Sequence, residues 1–205
     1  MHNKTIDEFT KLTASKAPVP GGGGVCACVA SLASSLGEMV TNLTIGKQKY
    51  IQYTNELNDI RKELEILRIN LLDCINKDAQ SFEPLAVAYK MDKNDPKYES
   101  IMEESLKVAA SSPLLILRYC TRIVDLDERL AVIGSKISVS DAATSVMLAH
   151  GAMYGAFVNI LVNTRLMKKK ENKKIFEDEA VKLLDEYSVK ALNIYDDICK
   201  RLTNG

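Results

Sequence analysis

Leu57, Ile60, Leu64, Leu67, Leu71 and Cys74 recur at intervals of three, four, three, four and three residues. Only an α-helix brings that spacing onto one face, and a face sustained this long needs apolar neighbours along its length. The chain is therefore expected to be built around long helices packed in a bundle. The punctuation of the sequence agrees. Among 205 residues there are five prolines and ten glycines, with four of the glycines in one run, so long stretches carry no turn signal. No internal repeat, linker or low-complexity tract interrupts them. The expectation is an all-α, single-domain bundle over residues 1–205, with about six helices, several of them long.

The boundaries follow from local signals. Thr5 and Glu8 read as a capping box that opens a short first helix, ending near Ala17 ahead of Pro18 and Pro20. A second helix starts in the glycine run and reaches about Ile45, where Gly46 can end it. The third carries the 57–74 seam, with a kink expected at Pro84, and closes in a loop near residues 91–95. Asp95 and Pro96 read as the N-cap and first residue of a fourth helix that runs to Val132 with a break near Pro113. After Gly134, Ser138 or Ser140 caps a fifth helix, in which Gly151 and Gly155 imply close helix approach. Ala180, Leu184, Tyr187, Ala191, Ile194 and Ile198 mark a sixth.

Charge and cysteine usage narrow the function classes. The 27 basic and 27 acidic side chains cancel, which gives no electrostatic footprint for nucleic acid or a membrane surface. Five cysteines, an odd number in a chain of this size, point to a reducing cytoplasmic setting rather than a disulfide framework. Cys26 and Cys28 are too close for the usual zinc pair and only two histidines exist, so no metal site is expected. Near a helix start those two thiols could be acidified, though small core residues are the plainer reading. The N-terminal MHNKTIDEFTKL is amphipathic and acidic and does not read as a signal peptide. Residues 17–37 and 142–164 carry no charge and are long enough to cross a membrane, but their Gly, Ala, Ser, Thr and Asn content suits the middle of a bundle.

Four features carry possible chemistry. Asp78 is the next position on the apolar seam after Cys74. A buried, unpaired charge is costly, so this acid is either paired at the seam edge or faces a polar cavity as a general acid or base of raised pKa. The glycine run at 21–24 either exposes helix-start N–H groups to an anion or lets helices touch. It matches neither the phosphate-loop nor the dinucleotide pattern. Lys47 and Lys49 either complement a helix C-terminus or meet a carboxylate-bearing ligand. Asp141 stands near a helix start, an ordinary place for an acid.

Taken together, these motifs resemble the cyclodeaminase/cyclohydrolase family of folate enzymes, the C-terminal domain of formiminotransferase-cyclodeaminase that also occurs alone. The resemblance rests on Pro20 to Gly23, Met39, Leu43, Thr44, Gly46, Lys47 and Tyr50; on Asp78, Ala79 and Phe82; and on Ser140, Asp141, Gly151 or Gly155, Asn159 and Asn163. The sequence departs at Gly24, where the family commonly has Ser, and at Ser135, where a Gly-Asn pair is usual.

The resemblance implies a homodimer with a tetrahydrofolate derivative, in its monoglutamate or polyglutamylated form, bound near the subunit interface, and no cofactor beyond that substrate. It implies formation or opening of the 5,10-methenyl bridge, with cyclodeaminase as the first expectation and methenyltetrahydrofolate cyclohydrolase as the alternative. A helical protein that binds folate or assembles without catalysis is the third reading. Asp78 is the implied proton carrier. Gly21, Gly22, Gly23, Thr44, Lys47, Lys49 and Asp141 are the implied substrate-binding set.

Overall fold

A computed structural model describes residues 2–204; Met1 and Gly205, the ends of the expected domain, lie outside the described residues. Among the described residues there are six α-helices and no strand: α1 (Ile6–Thr13), α2 (Gly22–Thr44), α3 (Thr54–Ala88), α4 (Tyr98–Ile133), α5 (Val139–Thr164) and α6 (Lys170–Thr203). Short 3₁₀ turns precede α3 (Gln48–Tyr53) and α5 (Lys136–Ser138).

The capping box is present. The Glu8 N–H donates to Thr5 Oγ1 at 3.2 Å and the Thr5 N–H donates to Glu8 Oε2 at 2.8 Å. Helix α1 stops at Thr13, before the expected Ala17, because Ser15 intervenes. Its hydroxyl donates to Leu12 O and accepts from the Ala17 N–H, a local bond pattern that competes with the helix. Helix α4 begins at Tyr98 rather than Pro96. Asp95 instead folds a turn, accepting from the Lys97 N–H through its side chain and from the Tyr98 N–H through its carbonyl.

The break expected near Pro113 is absent: α4 runs through it, as α3 runs through Pro84. A proline costs a helix interior roughly 3 kcal/mol. Buried Leu114, Ile116 and Leu117 immediately after Pro113 outweigh that, at about 1.5–3 kcal/mol each. Ser138 is the residue before α5, but its hydroxyl donates to Ser135 O instead of capping the helix.

Every member of the seam, Leu57 through Cys74, is buried. Helix α2 lies against α3 and α5 and also touches α4, while α4 packs on α3, α5 and α6. The small residues of α2 explain that central place. Ala27, Ala30 and Ala33 are buried, and Ser34 donates to the Leu64 carbonyl of α3 at 2.6 Å. Only one of the two α5 glycines marks close approach. A Cβ on Gly155 would fall 2.4 Å from Cys26 Sγ, whereas Gly151 is exposed with nothing within 4 Å. The segments Gly22–Thr44 and Lys136–Thr164 are long and apolar enough to span a membrane; in this fold they are bundle helices, 56% and 39% buried over their most apolar windows.

Candidate active site

Asp78 continues the seam of α3 to the point where that helix passes the start of α2. The approach is so close that a Cβ on Gly23 would lie 2.1 Å from Asp78 Oδ1. A Cβ on the preceding Gly22 would lie 2.8 Å from Asn159 Nδ2 on α5. Two polar side chains from two different helices thus stand against consecutive glycines. Any side chain at 23 would occupy the space of the carboxylate. The Gly24 N–H at the helix start favours the charged form of Asp78.

This changes the reading of the glycine run. The helix-start dipole meets the protein's own carboxylate, and the missing side chains make room for Asp78 and Asn159.

Gly21, Gly22 and Gly23 line, together with Asp78, a cavity of about 250 Å³ between the ends of α2, α3 and α5. Ser81, Phe82 and Tyr89 of the α3 end and Asn159, Asn163 and Arg165 of the α5 end complete most of its wall. Among the described ion pairs none involves Asp78. Burial raises its pKa above the usual carboxylate value, and the Gly24 N–H opposes this in part. The group is thus a partly desolvated carboxylate that opens onto a polar cavity, an arrangement suited to taking up and returning a proton.

The nearby thiols behave as core residues. Cys26 is pushed up to about 11 by burial and by the charge of Asp78, and burial also raises Cys28. The helix start does not acidify them. Among the described residues no group of three or more His, Cys, Asp and Glu side chains could hold a metal ion.

The other expected site residues stand elsewhere in the chain. Thr44 is at the opposite end of α2, about 33 Å of helix away from Gly22. It is buried, donates to Val40 O and accepts from the Ser135 N–H at 2.8 Å. Lys47 donates to Ser135 Oγ at 2.9 Å, which ties the residue at the family's Gly-Asn position to the lysine. Lys49 lines a second, larger cavity of about 620 Å³ with Tyr50, Lys136 and Arg201. The Lys136 N–H, first, and the charges of Lys49 and Lys47 hold the Tyr50 hydroxyl below its usual pKa. Asp141 lies in the first turn of α5, half-buried, outside both cavities.

In the sequence Asn159 and Asn163 are matching positions without a role; their signal is a pair of amides spaced four apart in the uncharged second half of α5. Tyr89 and Arg165 had no sequence signal, since only folding brings the α3 and α5 ends together.

An all-α bundle with a cavity-facing carboxylate at a glycine-lined helix start is the class of protein these features define. The family described as Formiminotransferase-cyclodeaminase matches residues 5–182. A methenyltetrahydrofolate cyclohydrolase of Methylorubrum extorquens is 34% identical over 187 residues, covering 89% of this chain and 88% of the relative. The formimidoyltransferase-cyclodeaminase of Rattus norvegicus is 24% identical over 80% of this chain, which spans 31% of that protein's length. The crystal structure of formiminotetrahydrofolate cyclodeaminase from Thermotoga maritima superimposes with a TM-score of 0.85, at 29% identity, covering 98% of this chain and 97% of that one. The chain belongs to the formiminotransferase-cyclodeaminase family.

Proposed function

We propose that this chain opens the 5,10-methenyl bridge of tetrahydrofolate by adding water, the methenyltetrahydrofolate cyclohydrolase reaction. The observation that carries the reading is Asp78, a carboxylate of raised pKa that faces a 250 Å³ cavity and makes no ion pair among the described residues. The likeness to a cyclohydrolase over most of both chains, at 34% identity, moves this reading ahead of the cyclodeaminase first expected from the sequence.

Asp78 takes a proton from water as the oxygen attacks the bridging carbon, which gives a neutral tetrahedral carbon between two nitrogens. It then returns that proton to N5 as the C–N5 bond breaks. The hydroxyl proton leaves to solvent, and the product is 10-formyltetrahydrofolate. A carboxylate partly withdrawn from water is the stronger base for the first step. It also offers the opposite charge to the methenyl cation.

The second reading, cyclodeaminase, is favoured by the likeness to the Thermotoga protein along nearly the whole chain. There N10 attacks the carbon of the protonated formimino group, and Asp78 carries the N10 proton to its nitrogen, which departs as ammonia and leaves the methenyl cation. One assay separates the two: the methenyl chromophore disappears in the first reaction and appears in the second. Asp78→Asn is expected to slow whichever reaction is found by about 10²–10⁴-fold, with folate binding retained. Unchanged turnover removes Asp78 from the mechanism. Binding without turnover of either substrate favours the non-catalytic reading.

A second copy of the chain is part of this proposal. Helix α2 carries one charged residue, Glu38, which is held by Arg68, and α5 carries only Asp141. Yet Leu32, Met39 and Leu43 of α2 and Val158 and Val162 of α5 are exposed, an apolar surface that a partner would cover. Lys47 and Lys49 are assigned to the carboxylates of the folate tail. Five free thiols suit a cytoplasmic setting.

A further inference from the structure

Asn159 and Asn163 sit one helical turn apart on the wall of the Asp78 cavity, and both amides are fixed in the same way. Asn159 Nδ2 donates to Gly155 O at 2.8 Å, and Asn163 Nδ2 donates to Asn159 O at 2.8 Å and to Ala109 O at 3.4 Å. A backbone carbonyl accepts only from a donor, so the NH₂ must face it. Each amide oxygen is therefore turned the other way. Among the described residues no donor reaches either Oδ1, and neither oxygen is among the atoms sealed from solvent without a partner. Both residues line the Asp78 cavity, the open space beside them.

The cavity wall thus holds two fixed acceptors beside the acceptor oxygens of Asp78. Asn159 and Asp78 flank Gly22 and Gly23, consecutive residues whose Cα atoms are about 3.8 Å apart. Ordinary whole-ligand sites span about 300–1,000 Å³. At about 250 Å³ this one fits a single ring system rather than an entire folate.

We infer that Asn159 and Asn163 are specificity residues that accept hydrogen bonds from the N–H edge of a bicyclic heterocycle, the amino-lactam edge of the reduced pteridine. The inference rests on the folate reading and extends it to the choice of ring. A site built of fixed acceptors rejects a ring that lacks the donors, because its carbonyls are then left dry and unpaired. The glycines and the amides serve one arrangement: Gly22 makes room for the Asn159 head, and the carbonyls of α5 hold both heads in orientation.

The test compares binding of 5,10-methenyltetrahydrofolate with binding of its analogue lacking the 2-amino group. The proteins are the intact chain, Asn159→Leu, Asn163→Leu and Asn163→Asp, each checked by thermal melting. The unaltered protein is expected to prefer the natural ring by at least about 100-fold. Each Leu variant is expected to reduce that preference to less than about tenfold, chiefly by losing affinity for the natural ring. Asn163→Asp, which retains an acceptor, is expected to keep most of it. Leu variants that melt normally and discriminate as well as the unaltered protein overturn the assignment while leaving the folate reading intact. Loss of discrimination in Asn163→Asp equal to that in Asn163→Leu overturns the acceptor role. An unaltered protein that binds neither ring overturns the folate reading and the assignment with it.

Discussion

Gly23 shows how much of the site depends on atoms that are not there. Alanine at 23 would put a methyl group 2.1 Å from Asp78 Oδ1, so the carboxylate or the start of α2 must move. Gly23→Ala is expected to destabilise by about 1–3 kcal/mol and to cut turnover, because it displaces the proposed proton carrier. Gly151→Ala is the control. That glycine is exposed inside α5 with nothing within 4 Å, so the substitution is expected to stabilise by about 0.5–1 kcal/mol with activity retained. Thermal melts and turnover of the two variants check the pair. At this scale the seam spacing made Asp78 visible in the sequence. The glycine run was visible too, but with two readings open. Asn159, which stands against the neighbouring Gly22, lies 137 residues from it along the chain, beyond the reach of any local pattern.

At the scale of elements, α2, α4 and α5 are joined by a buried chain of polar atoms. Ser145 Oγ on α5 lies 2.6 Å from Asp127 Oδ2 on α4 and 2.7 Å from Ala33 O on α2. One hydroxyl proton can serve only one of these oxygens. A protonated Asp127 that donates from Oδ2 to Ser145, with Ser145 donating to Ala33, satisfies these three groups and leaves only the neutral carbonyl oxygen Oδ1 without a partner. Complete burial agrees, raising the Asp127 pKa well above the carboxylate range. The sign for stability follows from linkage. The unfolded chain loses this proton above about pH 4, whereas the folded chain keeps it. Stability is full below that point and falls as pH rises, by up to about 1.4 kcal/mol per unit, until the folded group ionises. Asp127→Asn is expected to flatten that slope between pH 5 and 7, as measured by denaturant unfolding across pH. Asp127 follows Leu117, Cys120 and Val124 on the apolar face of α4, so the argument that singled out Asp78 would have found it as well.

At the scale of the whole molecule, the expected binding set divides between two ends of α2. Gly21, Gly22, Gly23 and Asp78 are at one end; Thr44, Lys47 and Lys49 are at the other, about 33 Å of helix away. In the proposed dimer, a second copy packed antiparallel along the exposed α2–α5 surface would bring the lysine end of one chain to the Asp78 end of the other. Leu32→Glu with Val158→Glu is expected to yield monomers in analytical ultracentrifugation and to lose activity. Mixing Asp78→Asn with Lys47→Ala chains, each impaired alone, is expected to restore about a quarter of the sites, since half the dimers are mixed and each holds one intact pair. No recovery after subunit exchange argues that each chain works alone.

The sequence by itself determined the helical class, most helix boundaries and the burial of the 57–74 seam, because these depend on spacing within one element and on local capping. It also raised Asp78, since an acid out of place on an apolar stripe is a local anomaly. It could not separate Asp78 from Asp127. Both are acids on apolar seams, and which of them opens onto a cavity depends on how three helices end. Tertiary structure alone decided that: α3 and α5 converge on the glycine start of α2 and leave a polar cavity at Asp78, whereas α2, α4 and α5 close completely around Asp127.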